Sequence, residues 1–353
     1  MSGTPPTSVR RGHVVAAFDK FRSSAAAREL NDVVARAVRA RSLECDAVLV
    51  SDGGEGFAAT FDGEVVTAAS LGALGDARDA PLTLVRTGAG EVAVIETASV
   101  VGRDLLENPS GEQALAASSD GVGLLILAAA RLGVSGVVVG CGGTSTSDAG
   151  RGCYRVLREA GGLPVPVTVA TDVRTTFLGA RRYARQKGVR EEDLRLIDER
   201  LDEARRLYQR EGGLDVEALE RTGAAGGIAG ALAALGASLT SGFEEAARAA
   251  RLDERLDGAA LVVTGEGRLD AGSLEGKVVL GVAEHVALES ALLIICGSVE
   301  TRAAAALRAR YAHASIVSLE ERWPERGLVE PLACVEIVVG EALDELARSE
   351  GRR

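Results

Sequence analysis

Residues 13–57 read HVVAAFDKFRSSAAARELNDVVARAVRARSLECDAVLVSDGGEGF, and the architecture starts from them. The run 13–18, HVVAAF, is short, apolar and β-branched at its centre, as expected of a strand buried on both faces. A helix is expected next, capped by Ser23 or Ser24 and running to about Arg41. Residues 47–50, AVLV, read as a second strand, which ends in SDGGEGF. Strand, polar loop, helix, strand is the opening of a parallel α/β sheet.

The pattern then shifts. Residues 64–69, 82–86 and 91–96 read as strands, and TLVRTGAGEVAVIE as a hairpin. That hairpin holds a formal match to the dinucleotide fingerprint, Gly88 to Ala93, which is rejected because a strand follows where a helix is required. Further on, helices are expected at 115–131, 154–160, 191–211, 228–237, 242–251 and 277–286. Strands are expected at 134–139, 166–170 and 260–264. The chain closes as strand 291–296, helix 301–312, strands 314–318 and 335–339, and helix 341–349. Alternating strands and helices imply covered parallel sheets. The start and end share this pattern, so two α/β domains are expected. One is discontinuous and Rossmann-like (1–63 plus 288–353), and the other is inserted into it (64–287).

Composition narrows the function classes. Among 353 residues, 40 Lys and Arg stand against 51 Asp and Glu, a net charge of −11 that disfavours nonspecific nucleic-acid binding. Aromatics are 3%, too few for a base-stacking platform. Five cysteines form no CxxC pair and read as buried free thiols; three scattered histidines make a zinc site improbable. The N-terminal residues lack the apolar region of a secretory signal, and no apolar run reaches the roughly 18 residues of a membrane helix. A cytoplasmic protein with no membrane partner is expected.

Ligands in open α/β sheets bind beyond the carboxyl ends of strands. The segments found there are Asp19 to Ser23, Asp52 to Gly56, Cys141 to Gly150, Thr171-Asp172, and Gly265 to Asp270. Each holds an aspartate, and three are glycine-rich. Glycine lets backbone N–H groups approach a phosphate. Carboxylates hold magnesium or accept a proton. One such aspartate alone is what a helix cap looks like. Together the five point to a phosphate- or nucleotide-using α/β enzyme. The Walker A motif is absent, since Ala271 stands where its first glycine belongs and Val278 follows Lys277. Lys187 and Lys277, both next to expected helix starts, are candidates for holding a phosphate or carboxylate.

In this order the segments resemble the bacterial type I glycerate kinase family. AFDKFRSS is similar to its APDSFKGS, SDGGEGF to ADGGEGT, and IETASVVGRDLL to IEMAxASGLxLL. GCGGTSTSDAGRG is similar to GxGGSATNDGGxG, VATDV to VACDV, and RQKGVREED to GPQKGAxxED. GAAGGIAGAL is similar to GAAGGLGAGL, and TGEGRLDAGSLEGK to TGEGRIDxQTLxGK. The resemblance runs from about residue 13 to 345.

It implies a two-domain kinase with its active site in the cleft, using ATP and Mg2+ to phosphorylate D-glycerate on the 2-hydroxyl, as a monomer or homodimer. Motif positions carry across Asp19, Asp52, Gly53, Gly54, Asp148, Asp172, Lys187, Glu266, Asp270 and Lys277 as site candidates. On this basis Gly142, Gly143 and Thr144 cradle a phosphate, with Asp148, Gly226, Gly227 and Glu266 also on the nucleotide side. Asp172 or Asp270 takes the hydroxyl proton or holds the metal, with Lys187 and Asp19 beside them. Arg22, Arg268 and a lysine meet the glycerate carboxylate or the moving phosphoryl group, near Asp52, Gly53, Gly54 and Lys277. The chain departs from the family pattern at Arg22 (lysine there), Ser147, Ala149, Arg174 to Thr176, and 119–124. Those departures leave a kinase with another small hydroxy acid or polyol, or a non-catalytic ligand-binding paralogue, as rival readings.

Overall fold

The computed structural model describes residues 12–21 and 24–350, apart from the side chains at 275, 349 and 350. Among these, eleven strands follow in chain order: β1 His13–Phe18, β2 Cys45–Ala47, β3 Glu64–Leu71, β4 Ala77–Thr87, β5 Gly90–Glu96, β6 Gly136–Gly140, β7 Val167–Ala170, β8 Ser238–Thr240, β9 Ala259–Leu269, β10 Ala291–Val299 and β11 Ala314–Ser318. The chain divides into two units, Met1–Val50 with Ala247–Arg353, and Ser51–Ala246.

The first unit is built on a parallel sheet of order β11-β10-β9-β1-β2. Counted within the unit this is 2-1-3-4-5, a doubly wound order that reverses between β1 and β9. All six residues of β1 are buried, which explains its unbroken apolar run. The helix Ala27–Arg39 lays Leu30, Val33, Val34, Ala37 and Val38 against Val14, Ala16 and Phe18, at the spacing of one helical face. Val335, Val338 and Val339 of the helix Pro331–Glu350 close the same core. Each such aliphatic side chain contributes about 1.5–3 kcal/mol when fully buried.

Four expectations change here. The expected insertion, 64–287, placed the GEGRLD segment in the other domain; β9 pairs with β1 and β10, so it belongs to the first sheet, and the unit boundaries fall at 50 and 247. Residues 335–339 are helix, not strand: the buried positions 334, 335, 338, 339 and 343 follow a helical period that a five-residue apolar window conceals. The second strand is Cys45–Ala47, not 47–50. The first helix starts at Ala27 with Ala26 as its cap residue, the Glu29 carboxylate accepting from the Ala26 N–H at 2.8 Å; Ser24 donates instead to Phe21 O. Ser23 lies outside the described residues.

The second unit holds a sheet of order β3-β4-β5-β6-β7-β8. β3, β4 and β5 pair antiparallel, the expected hairpin among them, and β5 through β8 pair parallel. The expected helix 115–131 is two helices, Gly111–Ala116 and Asp120–Arg131, because Ala117 leaves the helical region with ψ 123. β8, only three residues long, carried no sequence signal. The long helix Leu194–Gly212 buries Leu194, Ile197, Leu201, Ala204 and Tyr208. No helix among the described residues is long and apolar enough to cross a membrane, and all five cysteines are free thiols.

Asn31 fastens the first helix to its sheet. Its side-chain oxygen accepts from Phe18 N–H at 3.0 Å, and its amide donates to Val48 O at 2.9 Å. Both partners are buried backbone groups without substitutes. Asn31→Ala is expected to destabilise the protein by about 2 kcal/mol or more, read as a shift in the urea midpoint at unchanged m-value.

Candidate functional site

Four parallel strands of the second unit, β5 to β8, release their chains at one edge. There Thr97 Oγ1 donates to Gly140 O at 3.1 Å and Gly142 O at 3.2 Å, tying the end of β5 to the loop after β6. Glu96 accepts from Gly56 N and Ala58 N, which draws in the Asp52 segment. Gly53 lies under Ala170 at the end of β7. Its φ is +87, and a Cβ there would stand 2.6 Å from Ala170 O, so glycine is required.

The loop after β6 has the features of a phosphate cradle. The N–H groups of Gly142, Gly143 and Thr144 meet no acceptor among the described residues. Beneath them lies Lys187, buried, with Nζ donating to Thr144 Oγ1 at 3.0 Å and to Thr146 O at 2.7 Å. Burial lowers its pKa to about 7, with Asp148 pulling upward and Arg103 adding to the depression. Gly226 comes against this pair: at φ +71, a Cβ there would stand 2.2 Å from Thr146 O and 3.0 Å from Lys187 Nζ. Gly227 packs on Ala149.

Asp148 faces inward. It accepts from Ser119 N at 2.8 Å, Ser119 Oγ at 2.7 Å, Gly150 N at 3.0 Å and Gly152 N at 3.1 Å. With four donors on one carboxylate, it braces the loop and the helix Arg151–Glu159. Asp172 is similar. Oδ1 accepts from Ser241 Oγ at 2.6 Å and Gly242 N at 3.1 Å, and Oδ2 from Phe243 N at 2.8 Å, all at the start of the helix Gly242–Ala249. Burial pushes its carboxyl up to about 7 and Asp52 adds to this, against the Ser241, Phe243 and Arg221 groups. Asp52 itself accepts from Gly54 N at 3.1 Å.

The first unit carries its own cluster where the strand order reverses, the place such sheets bind ligands. Asp19 N–H donates to Gly265 O at 2.9 Å. Glu266 lies within β9, opposite Cys296 of β10, so GEGRL is strand and not the expected loop. It is 6% exposed, and Oε1 has no hydrogen-bond partner among the described residues. Burial pushes its carboxyl up to about 8, Asp19 and Asp270 reinforcing this, while Ser273 and Lys277 oppose it. Asp270 accepts from Gly272 N at 2.8 Å and caps the turn Ala271–Glu275. Lys277 is the cap residue of the helix Val278–His285, and Arg268 is exposed, 3.8 Å from Asp270. Arg22 lies outside the described residues.

A profile of the glycerate kinase family matches residues 14–160 and 163–326. This chain belongs to the glycerate kinase family. The protein of Escherichia coli named glycerate 2-kinase is 31% identical over 310 residues, covering 76% of this chain and 81% of that one. The glycerate kinase of Halalkalibacterium halodurans is 30% identical over 311 residues, 77% of this chain and 81% of its own length. An uncharacterized protein of Mycobacterium bovis is 37% identical over 252 residues, and this chain spans 64% of that relative's length. The crystal structure of putative glycerate kinase 2 from Salmonella typhimurium LT2 has the same fold, with a TM-score of 0.73 over 97% of this chain and 100% of that one at 24% identity.

In this family member the expected residues separate by unit. Asp52, Gly53, Gly54, Gly142, Gly143, Thr144, Asp148, Asp172, Lys187, Gly226 and Gly227 belong to the second, and Asp19, Glu266, Arg268, Asp270 and Lys277 to the first. No group of three or more His, Cys, Asp or Glu that could hold a metal exists among the described residues. Of the expected ligands, Asp172 accepts from Ser241 Oγ, Gly242 N and Phe243 N, and Asp270 from Gly272 N. A Mg2+ held by one or two carboxylates together with a nucleotide's own phosphates needs no such group. Sequence reasoning missed Ser119, whose Oγ bonds both Asp148 and Cys153 N, and Arg221, which donates to Thr171 O and lies 3.6 Å from Asp172. Only the short Ser119-Asp120 break before a glycine-containing helix hinted at the former.

Glu266 yields a pH signature. A carboxyl raised to about 8 in the fold from an ordinary 4.5 keeps its proton in the folded state after the unfolded chain has lost it. Stability therefore falls as pH rises from about 4.5 to 8. Glu266→Gln, which stays neutral, escapes that fall. Its stability relative to the parent, from denaturant unfolding at pH 5 and pH 8, should grow by about 1 kcal/mol or more.

Proposed function

We propose that this protein transfers the γ-phosphoryl group of ATP to D-glycerate, on the 2-hydroxyl, giving 2-phosphoglycerate. The observation that carries the reading is the Cys141 to Ala149 loop, with three successive N–H groups that meet no acceptor among the described residues, above a buried lysine, in a chain of the glycerate kinase family. Phosphoryl transfer asks a protein mainly for positioning and charge neutralisation. The N–H groups of Gly142, Gly143 and Thr144 receive phosphate oxygens. Lys187 holds the loop in shape through the Thr144 hydroxyl and the Thr146 carbonyl, and adds positive charge below it. Asp148 keeps the loop anchored to the Ser119 turn.

Magnesium enters with the nucleotide as part of the substrate. Asp172 acts as a brace for the helix Gly242–Ala249. The name of the E. coli relative supports the 2-position. A cytoplasmic enzyme working as monomer or homodimer completes the reading.

The test is ATP consumption by purified protein with Mg2+, with and without D-glycerate, and phosphorus NMR of the product. A glycerate-dependent 2-phosphoglycerate signal is expected; silence with glycerate but turnover of another hydroxy acid or polyol overturns the acceptor. A second prediction concerns Lys187→Met. Loss of the loop's only buried cation should lower kcat/KM by about a hundredfold or more, with circular dichroism of the folded chain retained.

A further inference from the structure

Beside the phosphate loop lies a cavity of about 630 Å³ whose walls include Arg103, Asp104, Glu107, Ser145, Arg185 and Lys187. It is joined to the loop by backbone. Arg103 N–H donates to Gly143 O at 2.9 Å, Ser145 N–H donates to Val101 O at 2.8 Å, and Gly102 bridges Thr144. The cations in it are unequal. Arg185 is held by Glu191 at 3.2 Å. Lys187 has its two oxygen acceptors and the field of Asp148. The half-buried Arg103 side chain makes no hydrogen bond or ion pair with any described residue.

Arg103 also stands near enough to Lys187 to disfavour its ammonium form. An arginine lining a cavity beside a second cation, with no carboxylate bonded to it among the described residues, is an arrangement that an incoming anion relieves. Asp104 and Glu107 are exposed, and neither forms an ion pair with Arg103 among the described residues. A planar guanidinium fork matches a carboxylate in two parallel hydrogen bonds.

We propose that the cavity bounded by Arg103 and Lys187 is an anion subsite that takes a small carboxylate, and that Arg103 is a specificity residue binding the acceptor's carboxylate there. This rests on the kinase reading for the word acceptor, but the carboxylate binding itself does not require turnover.

Isothermal titration calorimetry on the full chain tests it, with malonate, a dicarboxylate lacking any hydroxyl to phosphorylate, and with D-glycerate. The parent, Arg103→Leu and Arg103→Lys are compared, alongside the KM of glycerate and of ATP. Arg103→Leu should weaken both carboxylates by roughly ten- to a hundredfold, the worth of one charged hydrogen-bonded pair. Arg103→Lys, which keeps the charge and loses the fork, should weaken them less, and the KM of ATP should stay unchanged in both. Unaltered carboxylate affinity in Arg103→Leu overturns the subsite. So does a parent protein that binds neither probe. A changed KM for ATP with carboxylate affinity intact also overturns it and gives the cavity to the nucleotide. Arg103-dependent malonate binding without any glycerate turnover supports the subsite while sinking glycerate as the acceptor.

Discussion

Parallel strands cannot be joined by a tight turn, so each must be followed by a crossover that returns the chain to the same starting edge. In the second unit this forces the ends of β5, β6, β7 and β8 to release their loops side by side. Glu96 and Thr97, the Cys141 to Ala149 loop, Thr171-Asp172, and Ser241-Gly242 are neighbours for that reason. None of them is close to another in sequence. The hairpin strands β3 and β4 take no part in this convergence, and no candidate residue lies on them.

Charge at that edge falls into two kinds. Asp148 and Asp172 are spent inside the protein: seven donors from side chains and backbone converge on the two carboxylates. They hold a loop and a helix start where the strand ends put them. Lys187, Arg103 and, in the other unit, Glu266 are different. Burial penalises the charge of Lys187 and of Glu266, and Arg103 has no side-chain partner among the described residues; groups of this kind are what a ligand or a proton exchanges with.

The sequence told much of this, and its failures have physical causes. Apolar runs such as HVVAAF identify β1 because a strand covered on both faces needs no alternation. The same kind of run, VEIVV, belongs to a helix, since five residues cannot distinguish the two periods. GEGRL read as a loop because glycine usually punctuates; here Gly265 and Gly267 sit in a strand squeezed against β10, where a Cβ on Gly265 would stand 1.8 Å from Ile295 O. Most of the motif positions lie beyond strand ends, with Glu266 and Arg268 inside β9 instead. Which carboxylates face inward was invisible, because it depends on partners such as Ser119 and Ser241, distant in the chain and ordinary in type. Nothing in the sequence sets Arg103 apart; that its side chain has no partner among the described residues is a property of three-dimensional surroundings alone.

The position of β9 has a bearing on the order in which the protein is made. β1 pairs with β2 at once, but its other neighbour, β9, lies more than two hundred residues downstream. While the ribosome is still producing residues 51–246, all pairing partners of the second sheet become available in succession. The first sheet meanwhile consists of two strands whose open edge presents unpaired backbone N–H and C=O groups between largely apolar side chains. The inserted unit therefore has every contact it needs before its host does, and the early strand must wait, its edge a target for misassociation, until the late ones emerge.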